Sequence, residues 1–193
     1  MKKLMAVLVA IMLTGFGVFN SGLAVANQET SIEIFDTDLI SQKEWPELHC
    51  LAQNIYHEAK SESTAGQVAV GLVVLNRVNS KRYPGTICDV VYQGPVRESW
   101  KTKQTPEDDA IFYPVKNKCQ FSWFCDGKDD SVKNDLAWRK AQEIAYRLVV
   151  LGQYEGLIEG ATHYHASYVD PFWSSELYLI GRVDSHLFYR IKR

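Results

Sequence analysis

The sequence predicts an α+β domain, mostly helical, with a small β-sheet or hairpin toward its C-terminal end. Three long segments place apolar residues at helical spacing, and a tail of short alternating runs follows them. Between the second and third helical segments, residues 93–130 lose any period and fill with prolines, charges and aromatics. No internal repeat or low-complexity stretch interrupts this order.

The chain of 193 residues opens Met1-Lys2-Lys3, runs apolar to about Phe19 and closes with small residues at Ala24-Val25-Ala26. A short basic start, a brief apolar stretch and an Ala-x-Ala end read as a signal peptide over 1–26, cleaved after Ala26. An uncleaved anchor is the competing reading, and the small-residue site argues against it. Loss of Lys2 and Lys3 with no acid would move the net charge from −2 to −4. That mild acidity gives no support for nucleic-acid binding, which needs a basic face. Residues 27–43 are polar and irregular and read as a flexible arm. Residues 44–193 are a one-domain length. An exported protein, periplasmic or extracellular, with no membrane span after cleavage and a monomeric state, is the expectation.

The first helix starts near Trp45-Pro46, proline suiting a first turn, and runs to about Lys60 with Leu48, Leu51, Ala52, Ile55, Tyr56 and Ala59 on one side. The second runs from about Ala65 to Asn79, with Thr64 and Gln67 at capping-box spacing. It is apolar nearly all round, as a helix buried in the middle of a domain would be. Tyr83-Pro84-Gly85-Thr86 is a turn, and Thr86 can cap a short helix through Tyr92. Residues 93–130 read as a long ordered loop. The third long helix spans Ser131 to Leu151, with Gly152 as its stop. Ala161-Thr162-His163-Tyr164-His165-Ala166 alternates like a strand, putting His163 and His165 on one face and Tyr164 on the other. Leu177–Ile180 and His186–Tyr189 are also strand-like.

Cys50, Cys88, Cys119 and Cys125 all fall in the mature part. An even count in an exported chain favours two disulfides, and four cysteines allow three pairings. Cys119 and Cys125 bracket so short a stretch that a local closure suits them. Cys50–Cys88 would then tie the first helix to the segment after the second. The spacings lack any Cys-x-x-Cys pair, which counts against a four-cysteine zinc site.

Glu58 and Glu62 sit at the exit of the first helix, four apart and on one face if the helix continues. A carboxyl carried on a core helix but placed at its end can be half-desolvated, which raises its pKa as a general acid for glycosidic bonds requires. The plain alternative is a pair of solvated charges. A zinc set of His57, Glu58, His163 and His165 is a second possibility, but no His-Glu-x-x-His motif accompanies it. Nucleophilic catalysis lacks a Gly-x-Ser-like element. His57 points about 100° away from Glu58 on a helix and is given no catalytic role.

The ordered set Ile55-Tyr56-His57-Glu58-Ala59-Lys60-Ser61-Glu62, Gly66-Gln67-Val68-Ala69-Val70 and Val74-Leu75-Asn76-Arg77-Val78 resembles the opening signature of the SleB/CwlJ-type cell wall hydrolases. The resemblance continues through Tyr83–Tyr92, Gln120-Phe121-Ser122-Trp123, Gly160–Ala166, Val169-Asp170-Pro171-Phe172-Trp173 and Ile180-Gly181-Arg182. It implies a lysozyme-like domain, similar to goose-type lysozymes and lytic transglycosylases, acting on peptidoglycan glycan strands without a cofactor or metal. The family's catalytic acid, the first glutamate of Glu-Ala-x-x-Glu, falls on Glu58. Gln120, Phe121 and Ser122 fall on its Gln-Phe-Ser/Thr motif and become groove candidates, with Tyr164 and His163 as further cleft candidates. Glu62 becomes a supporting group that orients Glu58 or caps the second helix. The chain departs from the spore proteins in lacking a peptidoglycan-binding repeat ahead of the domain, in His57, His163 and His165, and in its cysteines. A spore role is therefore not carried over. The runner-up functions are a zinc-dependent wall amidase and a non-catalytic wall-binding module.

Overall fold

Helix α1 (Pro46–Ala59) and helix α2 (Thr64–Val78) form the centre of the domain, seen in a computed structural model that describes residues 45–104 and 109–192. The expected signal peptide and the arm over 27–43 lie outside the described residues. Among the described residues, no helix is long and apolar enough to cross a membrane.

The apolar stripe of α1 is shut from solvent at Leu48, Leu51, Ala52, Ile55, Tyr56 and Ala59. Buried apolar surface of this kind is the main favourable term in folding. Helix α2 is buried continuously from Gly66 to Val74, as its all-round apolar character predicts. It lies close to both α1 and helix α5 (Asp135–Val149). A Cβ at Gly71 would stand 2.6 Å from Leu148 Cδ1 and 3.1 Å from Ile55 Cδ1, so the glycine permits this three-helix approach.

Helix α3 (Ile87–Val91) is capped by Thr86, whose side chain accepts from the Asp89 N–H. The Glu47 carboxylate on α1 accepts the Ile87 and Cys88 N–H groups as well. The Cys50–Cys88 disulfide closes the same junction, and the second bond is Cys119–Cys125. Tyr56 Oη accepts the Lys133 and Asn134 N–H groups at 3.0 and 3.2 Å, fastening the start of α5 to α1.

Three local expectations need correction. The cap of α2 is Ser63, not Thr64, and its hydroxyl accepts from Gly66 N–H while Gln67 Nε2 donates to Glu62 O. Ser63 wins because its own N–H and hydroxyl both donate to Asp184, which fixes it at the boundary. Helix α5 begins at Asp135, capped by Asn134, rather than at Ser131, since the residues before it are held extended by Tyr56 and by the Asp129–Ser131 turn. The long loop also contains regular structure. Strands β1 (Val96–Glu98) and β2 (Phe112–Pro114) pair antiparallel, helix α4 (Trp100–Gln104) follows β1, and Ser122–Cys125 makes a 3-10 turn. Three-residue strands are too short for alternation to announce them.

The tail forms a three-stranded antiparallel sheet in the order β3-β5-β4, from β3 (His163–Ala166), β4 (Tyr178–Val183) and β5 (His186–Arg190). Tyr164 pairs with Phe188, and His163 pairs with Tyr189. The β4–β5 turn carries Asp184 at φ 49°, the left-handed region that aspartate tolerates better than most residues.

Candidate active site

Glu58 stands in the last turn of α1, half-buried, on the wall of a cleft of about 500 Å³. Burial pushes its carboxyl above the ordinary carboxylate value. A hydrogen bond from Tyr164 Oη to Glu58 Oε2, 2.9 Å long, opposes that rise, as does the nearby Arg77 guanidinium. The burial effect is the largest, so the group holds its proton to higher pH than a solvated glutamate. The Tyr164 phenol is itself pushed well up by burial and by the neighbouring carboxyl, so it remains a donor.

Arg77 is the group that sequence reasoning missed. It projects from α2, is 3% exposed and lines the same cleft. Its Nε donates to Thr162 O at 2.8 Å, and the guanidinium lies 5.1 Å from the Phe121 ring centroid and 5.4 Å from that of Tyr83. Cation–π contact of this kind compensates a buried charge in part. The signal for it was an arginine inside an otherwise apolar helix.

The opposite wall is the Gln120–Asp126 segment. Gln120 and Ser122 are exposed on it, whereas Phe121 is buried beneath Arg77 and Trp123 is buried in the wall. Trp123 Nε1 donates to Asn54 Oδ1 on α1 at 3.1 Å, and His57 stacks on the Trp123 ring at 4.4 Å. His57 therefore braces the wall, and burial holds it in the neutral form. At the mouth, Tyr168 is 86% exposed and lines the cleft. No periodic pattern marked it.

Of the two neighbours on β3, Tyr164 enters the cleft and His163 does not. His163 does not line the cleft; it meets Tyr83 Oη and Thr162 Oγ1, and its ring lies against Trp173. Its expected place as a cleft-lining group is corrected accordingly. His165 also touches Trp173, as a shared face requires, and bonds Tyr189 Oη at 2.9 Å while reaching the cleft edge. His163 and His165 share Trp173 but hydrogen-bond to different groups, and His57 stacks on Trp123 instead. Among the described residues, no three His, Cys, Asp or Glu side chains are grouped as metal ligands.

Glu62 does not touch Glu58. Its carboxylate accepts from Ser185 Oγ and from Ser185 N at 3.3 Å, and it lies 4.0 Å from His186 Nδ1. Burial keeps His186 neutral despite that carboxylate, and the ring packs edge-on against Tyr164 at 5.2 Å. Glu62 therefore fastens the β4–β5 turn to the start of α2.

The cleft lies between the helices α1 and α2, the Gln120–Asp126 segment and the sheet strand β3, with the raised Glu58 carboxyl on its wall. A family model described as cell wall hydrolase matches residues 61–189, and the chain belongs to that family. The match begins after Glu58. The chain is 40% identical over 47 residues to a spore cortex-lytic enzyme of Bacillus subtilis (strain 168), which covers 24% of this chain and 15% of that protein. A spore cortex-lytic enzyme of Halalkalibacterium halodurans is also 40% identical over 47 residues, covering 24% of this chain and 14% of its own length. The chain thus spans a small part of the relatives it matches. The crystal structure of the catalytic domain of the Bacillus cereus SleB protein superposes with a TM-score of 0.50 at 20% identity, over 75% of this chain and 89% of that one. The fold is shared with that domain.

Proposed function

We propose that the protein cleaves the glycan strands of peptidoglycan at the bond between N-acetylmuramic acid and N-acetylglucosamine, with Glu58 as the single catalytic carboxyl. The observation that carries this reading is the Glu58 carboxyl raised by burial at the wall of an open cleft, with one oxygen held by Tyr164. Family membership supports the substrate class, as do the names of the relatives.

In the first step the protonated Glu58 gives its proton to the glycosidic oxygen as the C1–O bond breaks, and the leaving sugar departs as an alcohol. The muramic acid 6-hydroxyl then attacks C1 and passes its proton to the Glu58 carboxylate, leaving an anhydro end and restoring the acid. Water in place of that hydroxyl would give a reducing end instead. Arg77 and Tyr164 steady the carboxylate between the two steps, since both favour the ionised form. Gln120 and Ser122 supply amide and hydroxyl contacts, and the exposed Tyr168 offers a ring for a sugar face. Export through residues 1–26 brings the enzyme to the wall, and the two disulfides suit an oxidising compartment.

Mass spectrometry of digested peptidoglycan tests the proposal. Anhydro-muramoyl ends that disappear with Glu58→Gln support it, and reducing ends support the hydrolytic form of the same cleavage. Freed peptides on intact glycan would overturn it in favour of an amidase.

A further inference from the structure

The two disulfides differ in what can reach them. Cys119 is half-buried and lines an open groove beside the cleft, next to Gly94 and Lys118. A Cβ at Gly94 would stand 3.0 Å from Cys119 Sγ, so the glycine keeps a side chain off that sulfur. Lys118 is exposed on the groove and no carboxylate lines it, which favours the approach of an anion. Cys125, the other half of the bond, is 5% exposed. An attacking thiolate therefore meets Cys119, and Cys125 is the sulfur that leaves. The Cys119 N–H donates to Cys125 Sγ at 3.0 Å. A hydrogen bond at the leaving sulfur favours its thiolate form, and a better leaving thiolate speeds exchange.

At Cys50–Cys88 the surroundings oppose the same attack. Neither residue lines the cleft or the groove. The Glu47 carboxylate accepts the Cys88 N–H at 3.4 Å, where its charge repels an incoming thiolate.

The Cys119–Cys125 ring encloses the loop wall of the cleft. Gln120, Phe121, Ser122 and Trp123 all lie inside it, and all four line the cleft. Opening the bond removes the covalent tie across that wall and leaves the packed faces of α1 and α2 as they are. Weaker ties remain, from Trp123 to Asn54, from Gln120 N–H to Gln93 O at 2.8 Å and from Asn117 N–H to Cys125 O at 2.9 Å. The wall thus loosens without the domain unfolding.

We infer that Cys119–Cys125 is a thiol–disulfide exchange site through which an external thiol lowers the activity of the cleft. A donor thiolate attacks Cys119 Sγ, and its new bond forms as the Cys119–Cys125 bond breaks. The electron pair of the broken bond goes to Cys125 as a thiolate. A second donor thiolate then attacks the donor sulfur of this mixed disulfide and releases Cys119. Two electrons and two protons pass to the protein, and the donor leaves as its own disulfide. The effect on cleavage rests on the proposed reading of the cleft, whereas the exchange site does not.

Glutathione and thioredoxin, a small thiol and a protein dithiol, serve as donors in the test. The protein is exposed to each, quenched by alkylation and mapped by peptide mass spectrometry. Cys119 and Cys125 should be alkylated before Cys50 and Cys88, with glutathione found on Cys119 in the mixed disulfide. The donor that opens the bond faster at equal thiol concentration names the source. Muropeptide release should fall about ten-fold or more on opening, since misplaced binding groups cost up to about 100-fold, and it should return on reoxidation. Hydrogen exchange over residues 118–126 should rise while α1 and α2 stay protected. The paired variant Cys119→Ser with Cys125→Ser should show the low release and ignore both donors. Cys50–Cys88 opening first, glutathione mapped to Cys125, an unchanged exchange rate over 118–126, or release indifferent to opening would each overturn the inference. No release even from the oxidised protein, with 118–126 still loosening on reduction, would instead overturn the proposed reaction and leave the exchange site standing.

Discussion

On one side of the cleft Glu58 and Arg77 stand on α1 and α2, whose inward faces are closed to solvent. On the other side Gln120 and Ser122 are exposed on a segment with only a 3-10 turn and a disulfide that closes a separation of 6 residues. The helical wall is held by packing spread over many side chains. The loop wall is held by a covalent bond, the Trp123–Asn54 hydrogen bond and a few backbone bonds. On the proposed reading Glu58 needs a fixed, dry setting to raise its pKa, whereas contacts to a long substrate need only be presented. Each wall uses the means suited to its task.

The contrast is broken most sharply at Glu58. Glu58→Gln should lower muropeptide release by about 10³-fold, within the range for a positioned general acid, and the loss is read from product mass spectra. The same variant should be more thermally stable than the parent at neutral pH. The raised folded pKa means that the native state keeps a proton that the unfolded chain has released, so stability falls as pH rises through that window. The stability gain should therefore vanish below the ordinary carboxylate value, and denaturation midpoints across pH check it.

The two disulfides measure how much each wall depends on a covalent tie. Cys50–Cys88 closes a separation of 38 residues within the helical core, and Cys119–Cys125 closes one of 6. Loop-closure entropy gives about 4 kcal/mol for the first and about 2 kcal/mol for the second. Paired serine substitutions followed by denaturant unfolding should reproduce that order. Loss of Cys119–Cys125 should cost activity out of proportion to stability, because it loosens the substrate wall. If the Cys50–Cys88 variant lost more activity than stability, the division between the walls would be wrong.

Smaller effects sharpen the same picture. Tyr164→Phe removes the hydrogen bond that favours the Glu58 carboxylate. The basic limb of the pH–rate profile should move to higher pH, and kcat should fall about ten-fold, the scale of one hydrogen bond to a charged group. A shift to lower pH would contradict the assignment. Ser63→Ala removes the α2 cap and one contact to Asp184, and should cost about 1 kcal/mol in unfolding experiments with little change in kcat.

The sequence by itself determined the helices α1, α2 and α5, the strand character of the tail and the burial of α2, because each follows from a local period of apolar residues. Helix spacing alone left Glu58 and Glu62 as possible solvated charges, and the family resemblance singled out Glu58 as the candidate acid; the shortness of one span favoured the two cysteine pairs. Only the tertiary structure decided what surrounds that acid. The Tyr164 donor lies 106 residues away from Glu58, and the Ser185 partner of Glu62 lies 123 residues away. Hydrogen bonds of this kind leave no period in the chain. Arg77 received no role from the sequence, and its place against Phe121 and Tyr83 appears only in the fold. His163 and Tyr164 were both cleft candidates, and of the two it is Tyr164 that bonds Glu58. Local spacing fixes which side of an element is apolar, but partner choice between polar groups is settled only when distant elements pack together.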